Sequence, residues 1–352
     1  EVLNGRGKFG IYGDGKEVPQ VAMARAFRKG DWRSGYYRDQ TFMFALGIST
    51  VEQYFAQLYA DPERDPFSSG RQMNNHYATR LIDEEGDWLD HTQSYNVSSD
   101  ISCTAGQMAR ALGLAMASKK YRKLDIPSHK NFSDHGNEVS FVTIGDSSTS
   151  EGIFWETMNA AAVMRVPLLV AVWDDGYGIS VPVEMQTTKG SISKALEGFL
   201  PDGNGNGIMI YTVKGWDYPE LCAVFEKVTM KVREKHMPAL IHVQELTQPQ
   251  GHSTSGSHER YKTPSRLTWE KEHDCIKKME EWMLLNGIAS EEEIAAIKIQ
   301  AVEYAKSSKD TAWNNYSSDL KQQHDIYSEI WKSIPENLKT ESIKTLENEI
   351  KN

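Results

Sequence analysis

The sequence predicts an α/β fold of the doubly wound type, with a mostly parallel sheet, helices on both faces and a helical C-terminal extension. Four apolar runs have the length of buried strands, and they lie at 139–144, 168–173, 208–213 and 239–245. Helix patterns at 153–164 and 218–235 alternate with these runs, which is the order typical of a parallel sheet. The last part of the chain contains only helix patterns. We therefore expect an α/β domain over 1–265 and a helical extension over 266–352.

Size and composition are those of an ordinary globular protein. The 352 residues are 39% hydrophobic and 25% charged, which suffices for one large domain or two smaller ones. No apolar run approaches the roughly 18 residues of a membrane span, and the start lacks the apolar segment of a signal peptide. A net charge of −10 argues against nucleic acid as a partner. The three cysteines have neither disulfide nor zinc spacing, so we expect a reducing, cytoplasmic location.

The central unit of the chain joins the strand at 139–144 to the strand at 168–173. Each strand ends in a small polar loop, and a right-handed crossover between parallel strands places both loops at the same edge of the sheet. Asp146 and Asp175 therefore face one crevice. Two carboxylates suit Mg²⁺ bound together with a diphosphate, whose phosphates helix amides near Ser148 could hold. A sheet that merely carries two acidic loop residues fits the spacing equally well.

Three segments of this unit resemble a known family. They are GDSSTSEG at 145–152, NAA at 159–161 and DDGYGIS at 174–180. Together they are similar to the thiamine diphosphate motif, and more narrowly to the alpha chain of the first, decarboxylating component of 2-oxo acid dehydrogenase complexes. The resemblance implies a thiamine diphosphate-binding fold that holds thiamine diphosphate and Mg²⁺.

The resemblance also implies which residues of the motif contact the cofactor. They are Asp146, Ser147, Ser148, Asp175, Tyr177 and Ile179. Of these, the metal would be held by Asp146, Asp175 and the backbone carbonyl of Tyr177.

The sequence departs from the family pattern at two places. Ser147 stands where the family usually has Gly, and Asp174-Asp175 stands where it usually has Asn-Asn. With Mg²⁺ and a triply charged diphosphate, two aspartates give a total of about −3 instead of about −2. One extra charge about 5 Å from a phosphate costs about 3 kcal/mol at an effective dielectric constant of about 20. Basic residues or a protonated aspartate have to offset this charge, or cofactor binding is altered.

Two segments before the central unit carry further candidates. Alone, Arg38 is best explained as a surface or salt-bridge arginine, although arginine is also a good phosphate ligand. The Tyr-Arg-Asp segment at 37–39 resembles the segment of these alpha chains that contacts the diphosphate, which implies Tyr37 and Arg38 as ligands. Residues 70–77, GRQMNNHY, are very close to branched-chain members that act on 2-oxoisovalerate. His76 is either a structural loop histidine or, as the resemblance implies, a catalytic residue near the active-site channel.

A loop after the last predicted strand contains Gly251-His252-Ser253. In the family, the histidine of such a loop reaches the diphosphate and the reacting centre. The resemblance therefore implies that His252 is a cofactor ligand and a catalytic residue that assists proton transfer. Without the resemblance, an exposed loop histidine is the simpler interpretation. Near the start of the chain, Gly13-Asp14-Gly15 is expected to form a turn rather than a phosphate site.

The helical parts of the chain begin at recognisable caps. Capping boxes begin helices at Thr50 and Ser290, and the second of these is expected to end near residue 306. An amphipathic helix is expected at 269–285. Residues 316–352 are charged and form either a packed helical tail or a subunit contact or linker.

The resemblance covers nearly the whole chain and implies an oxidoreductase. A branched-chain 2-oxo acid of the 2-oxoisovalerate type would lose CO₂ on thiamine diphosphate, and its acyl group would pass to lipoyl-lysine of the transacylase component. Pyruvate as the substrate and a non-catalytic scaffolding subunit with weak cofactor binding stay open. The family's activating glutamate lies in a pyrimidine-binding domain. The resemblance thus implies a beta subunit, or a beta segment fused after Asn352, in an α₂β₂-like assembly.

Overall fold

The main sheet consists of parallel strands. The computed structural model of the protein describes residues 1–124, 130–254, 257–343 and 345–346. In these residues the strands of the main sheet are β1 (Trp32–Ser34), β2 (Asn96–Val97), β3 (Ser140–Gly145), β4 (Leu168–Trp173), β7 (Met209–Lys214) and β8 (Ala239–Gln244). A separate antiparallel hairpin pairs β5 (Tyr177–Gly178) with β6 (Val181–Pro182). The order in the main sheet is β2-β1-β3-β4-β8-β7, and every neighbouring pair is parallel.

Helices cover both faces of this sheet. Those of the described residues are α1 (Glu17–Ala26), α2 (Gln40–Ala45), α3 (Val51–Leu58), α4 (Gln107–Lys123), α5 (Gly152–Met164), α6 (Ile192–Ala195), α7 (Tyr218–Lys235), α8 (Pro264–Glu272), α9 (Cys275–Leu285) and α10 (Glu291–Ser333). Residues of α1, α2 and α7 form the core on one face, and residues of α4, α5 and α6 form the core on the other. The predicted doubly wound α/β fold with a helical C-terminal extension is confirmed.

Strand β4 contributes side chains to the hydrophobic cores on both faces of the sheet. Successive side chains of a strand point to opposite faces, so a strand covered on both sides must be apolar throughout. All six residues of β4 are buried. Leu169, Ala171 and Trp173 pack into the core with α1 and α7. Leu168 and Val170 pack into the core with α4 and α5.

The register of β3 and β4 aligns their two terminal loops. Gly145, the last residue of β3, pairs with Trp173, the last residue of β4. The Asp146 amide then donates to the Trp173 carbonyl at 3.1 Å. Because α5 makes the crossover between the strands, both loops leave the sheet at its carboxyl edge, as predicted.

A buried ionic network supports the segment that follows β1. Arg33 is fully buried, and its Nη1 donates to both carboxylate oxygens of Asp100 at 2.8 and 2.9 Å. Its Nε and Nη2 donate to Asp39 Oδ2 at 3.0 and 2.6 Å. Asp39 also accepts from Trp173 Nε1 at 3.0 Å and from the Thr143 hydroxyl. The network therefore ties the segment at 36–39 to the ends of β3 and β4.

The C-terminal helices differ from the prediction at two boundaries. The helix expected at 269–285 is two helices, because the Asp274 side chain accepts from the Lys277 amide at 3.0 Å and caps a new helix, α9. The helix expected to end near residue 306 continues to Ser333, since no Gly or Pro interrupts it before Pro335. Near its middle, the Trp313 ring packs edge-on against the Tyr59 ring at 5.1 Å.

The end of the predicted tail, residues 347–352, lies outside the described residues. No helix in the described ranges combines the length and apolar character that a membrane crossing requires.

Candidate functional site

A cavity of about 320 Å³ lies at the carboxyl edge of the sheet, between the loops that follow β1, β3, β4 and β8. The predicted cofactor residues that line it are Tyr37, Arg38, Asp146, Ser147, Ser148, Asp175, Tyr177, Ile179 and His252. Thus every residue predicted from the sequence to contact the cofactor reaches one cavity, although these residues come from four separate loops.

Asp146 supplies an unsatisfied buried carboxyl group. It is 4% exposed, and its Oδ2 has no hydrogen-bond partner among the described residues. Burial raises the pKa of Asp146 well above its usual value, and the negative charges of Asp174 and Asp175 raise it further. Because buried polar atoms are normally paired, this oxygen marks a place for a cation or a proton.

Asp175, unlike Asp146, has hydrogen-bond partners for both carboxylate oxygens and a lowered pKa. Its Oδ2 accepts from Lys16 Nζ at 2.8 Å, and its Oδ1 accepts from the Tyr177 amide at 3.1 Å. Burial favours the neutral acid, but the charge and hydrogen bond of Lys16, with help from Arg38, outweigh it and lower the pKa of Asp175. The two aspartates predicted as metal ligands are therefore inequivalent.

Lys16 is a site residue that the sequence analysis missed. Its side chain is 1% exposed, and Nζ also donates to the Thr247 carbonyl at 3.0 Å and to Gln248 Oε1 at 2.8 Å. It follows the predicted Gly-Asp-Gly turn, which packs against the cavity wall. A Cβ atom at Gly13 would lie 2.1 Å from the Arg38 carbonyl oxygen. The sequence signal that could have indicated Lys16 is the excess negative charge at 174–175, because buried negative charges need a nearby cation.

Asp174, the other unusual acid, does not line the cavity. Its Oδ2 lies 2.7 Å from His242 Nε2, and its Oδ1 accepts from the Gly176 amide at 2.9 Å. His242 Nδ1 in turn lies 2.9 Å from Ser193 Oγ, in the buried layer beneath β8. Of the two departures from Asn-Asn, only the one at Asp175 lines the cavity.

Arg38 and His252 form another part of the cavity wall. Arg38 Nη1 donates to the Tyr12 carbonyl at 2.6 Å, and Nη2 contacts His252 Nδ1 and donates to the His252 carbonyl, both at 2.9 Å. Burial, and then the Arg38 charge, lower the pKa of His252 to about 4. His252 is therefore neutral at neutral pH. Since arginine can only donate, His252 Nδ1 accepts, and the ring proton lies on Nε2.

His76 packs against Tyr37. It does not line the cavity, and its ring stacks on the Tyr37 ring at 6.3 Å. Its Nε2 contacts Ser102 Oγ at 2.8 Å, and its Nδ1 contacts the Asn74 carbonyl at 3.1 Å. This arrangement supports Tyr37, and the catalytic role expected for His76 stays a prediction.

The rim of the cavity is strained and apolar. Ile179 has a φ of +58°, a left-handed conformation that is costly for a β-branched residue, and it is 62% exposed. Gly178 beside it packs closely against the Ser147 side chain, since a Cβ atom at Gly178 would lie 2.1 Å from Ser147 Oγ. Val181 and Met185 are exposed nearby in sequence. Such strain and exposure are typical of a ligand or partner contact.

The family described as "Dehydrogenase E1 component" matches residues 3–315. The chain belongs to this family. The chain is 27% identical over 318 residues to the 2-oxoisovalerate dehydrogenase subunit alpha of Bacillus subtilis (strain 168), covering 87% of this chain and 85% of that protein. It is 24% identical over 339 residues to the mitochondrial 2-oxoisovalerate dehydrogenase subunit alpha of Caenorhabditis elegans, covering 94% of this chain and 68% of that protein.

A pyruvate dehydrogenase is similar as well. The pyruvate dehydrogenase E1 component subunit alpha of Rickettsia bellii (strain RML369-C) is 25% identical over 195 residues, covering 55% of this chain and 56% of that protein. The resemblance to alpha chains of 2-oxo acid dehydrogenases is thus confirmed, and the family depends on thiamine diphosphate.

The residues that line the cavity fit that cofactor. The described ranges hold no group of three or more His, Cys, Asp or Glu side chains that could bind a metal alone. A metal beside Asp146 would therefore need oxygens from a ligand, and Mg²⁺ commonly combines one or two carboxylates with phosphate oxygens. Arg38 and Lys262 place positive charge on the same cavity.

Proposed function

We propose that this chain is the alpha part of a thiamine diphosphate- and Mg²⁺-dependent 2-oxo acid dehydrogenase of the branched-chain, 2-oxoisovalerate type. The observation that carries the proposal is the single cavity lined by all nine predicted cofactor residues. The names of the Bacillus and Caenorhabditis relatives support the substrate type. The reaction would be oxidative decarboxylation, with acyl transfer to lipoyl-lysine of a transacylase component.

In this proposal the nine predicted cofactor residues divide into three groups. Asp146, Asp175 and the Tyr177 carbonyl hold Mg²⁺, whose positive charge the unpaired Asp146 oxygen would balance. Tyr37, Arg38 and His252 hold the diphosphate, and arginine is suited to bidentate phosphate binding. Ser147, Ser148 and Ile179 complete the cavity wall.

When bound, thiamine diphosphate supplies the carbanion chemistry of the decarboxylation. The chain's own task is to position and polarise that group. His252 contributes a neutral ring with a proton on Nε2, which can donate to an anion or move a proton at the reacting centre. The fixed Arg38 contact keeps this tautomer in place.

We propose a beta subunit or a fused beta segment as the partner that brings the pyrimidine-binding domain and the activating glutamate. The exposed apolar rim at Ile179, Val181 and Met185 supports a contact at the mouth of the cavity. We further propose a cytoplasmic location from the cysteine content, since free thiols persist in reducing compartments.

The test is turnover of 2-oxoisovalerate and pyruvate by the complex reconstituted with its beta part and transacylase. We expect a higher kcat/KM for 2-oxoisovalerate. Arg38→Ala is expected to weaken thiamine diphosphate binding, whereas Arg64→Ala, a change at a partly exposed ion pair, leaves it unchanged. Faster turnover of pyruvate would instead assign the pyruvate type.

A second candidate function is a scaffolding subunit that binds the cofactor weakly. It is favoured by one observation, the engagement of Asp175 with Lys16. Calorimetric titration with thiamine diphosphate and Mg²⁺, with the beta part present, separates the two. No heat and no thermal stabilisation would support scaffolding.

A further inference from the structure

We propose that Lys16 is a positioning residue that makes an aspartate at position 175 compatible with a bound diphosphate, so that Lys16 and Asp175 act as one unit in cofactor binding. This inference rests on the proposed function. It concerns a residue outside the motifs from which that function was argued.

The contacts of Lys16 define how it acts. An ammonium group has three hydrogens, and Lys16 Nζ has three acceptors: Asp175 Oδ2, the Thr247 carbonyl and Gln248 Oε1. All three donors are used within the protein, and the side chain is buried. Lys16 therefore acts on a ligand through Asp175 and through its fixed charge, and it does not need to touch the ligand.

The backbone around Lys16 fixes this charge in place. Gly15 has a φ of +81°, and a Cβ atom there would lie 2.3 Å from Thr247 Oγ1. On the other side, Gly13 lies against the Arg38 carbonyl. The turn at 13–15 thus packs between the segment that holds Arg38 and the loop after β8, and α1 begins directly after Lys16. Lys16 therefore reaches Asp175, in the cavity wall, from a closely packed turn, which favours a preorganised position.

The charges at the cavity explain why Asp175 needs Lys16 as a positive partner. Asp146 has an unpaired oxygen, Asp174 is engaged by His242, and Asp175 is engaged by Lys16. Without Lys16, Asp175 would lose its hydrogen-bonded positive partner and would add negative charge to the wall of the cavity that is proposed to hold the diphosphate. A charge about 5 Å away at an effective dielectric constant of about 20 weakens binding on the order of 100-fold.

A double-mutant cycle tests this coupling. Thiamine diphosphate with Mg²⁺ is titrated calorimetrically into the complex with its beta part, for the wild type, Lys16→Met, Asp175→Asn and the double variant. We expect Lys16→Met alone to weaken binding about 100-fold, and the double variant to recover to within about tenfold of the wild type. Unchanged binding by Lys16→Met, or losses that simply add in the double variant, would overturn the inference.

Lys262→Met is the matched control. Lys262 is also buried and lines the same cavity, but it pairs with Glu270 instead of Asp175. Asp175→Asn is therefore expected to rescue Lys16→Met and not Lys262→Met. Thermal unfolding of each variant without cofactor reports folding separately, and Lys16→Gln replaces Lys16→Met in the cycle if the latter does not fold.

Different outcomes contradict the proposed function and the role of Lys16. If the wild-type complex does not bind thiamine diphosphate, the proposed function is wrong. If the wild type binds and Lys16→Met binds equally well, only the role of Lys16 is wrong.

Discussion

Replacing Arg33 with methionine tests the buried network that supports the cavity. Arg33 makes five hydrogen bonds, which reach Asp39, Asp100 and the Tyr36 carbonyl. Methionine fills a similar volume but leaves two fully buried carboxylates without a positive partner. Removing one partner of a buried ion pair costs about 3–5 kcal/mol, so we expect Arg33→Met to lower the free energy of unfolding by this amount. The unfolding temperature falls on the order of 10 °C.

The loss of unfolding free energy in Arg33→Met should depend on pH. Burial already raises the pKa of Asp100 in spite of its contact with Arg33. Without Arg33, the folded-state pKa of Asp100 rises further above its unfolded value. An acid with a raised folded-state pKa stabilises the fold when protonated, and this contribution is lost as the pH rises. We therefore expect the deficit of Arg33→Met to be smaller at pH 5 than at pH 8.

Equilibrium unfolding in urea, followed by tryptophan fluorescence and circular dichroism, measures both effects. Arg64→Met is the control, because Arg64 also contacts two aspartates, Asp61 at 3.2 Å and Asp319 at 2.6 Å, but is 34% exposed. A partly exposed pair contributes about 1 kcal/mol or less. Equal losses of unfolding free energy in Arg33→Met and Arg64→Met would refute the claim that the buried Arg33 network contributes more stability than a partly exposed ion pair.

Three further predictions follow from single residues. Burial raises the pKa of half-buried Glu17 to about 7, so the protonated acid stabilises the fold and the wild type loses stability as the pH rises from about 4.5 to 7. Glu17→Gln should remove this loss of about 1–2 kcal/mol, which urea unfolding across that pH range measures. Asp146→Asn should reduce Mg²⁺-dependent binding of thiamine diphosphate about tenfold or more by calorimetry, without lowering the unfolding temperature of the cofactor-free chain. His242→Phe should cost about 1–3 kcal/mol in urea unfolding, since it leaves Asp174 and Ser193 without their shared partner.

The central β-α-β unit was predictable because its signals are local. Continuous apolar runs mark β3 and β4, and the helix pattern between them gives α5. Capping chemistry is equally local, and the predicted capping boxes at Thr50 and Ser290 are both confirmed by their reciprocal hydrogen bonds.

Element ends and long-range contacts were harder to predict. The predicted end of α10, near residue 306, lies well before the observed end at Ser333, because a polar, uninterrupted helix gives no stop signal. Strand β2, with two residues, is too short to show a period. Lys16 was missed because its three acceptors lie 159, 231 and 232 positions away. The domain boundary at residue 265 stays a prediction.

The central claim is that the cavity at the carboxyl edge of the sheet binds a divalent cation together with thiamine diphosphate. Anomalous diffraction at the manganese edge tests it most directly, on crystals of the complex grown with thiamine diphosphate and Mn²⁺ in place of Mg²⁺. The account predicts a manganese peak bonded to a carboxylate oxygen of Asp146, with the diphosphate beside Arg38 and His252. A cofactor bound elsewhere, or a filled cavity with no metal at Asp146, would contradict it.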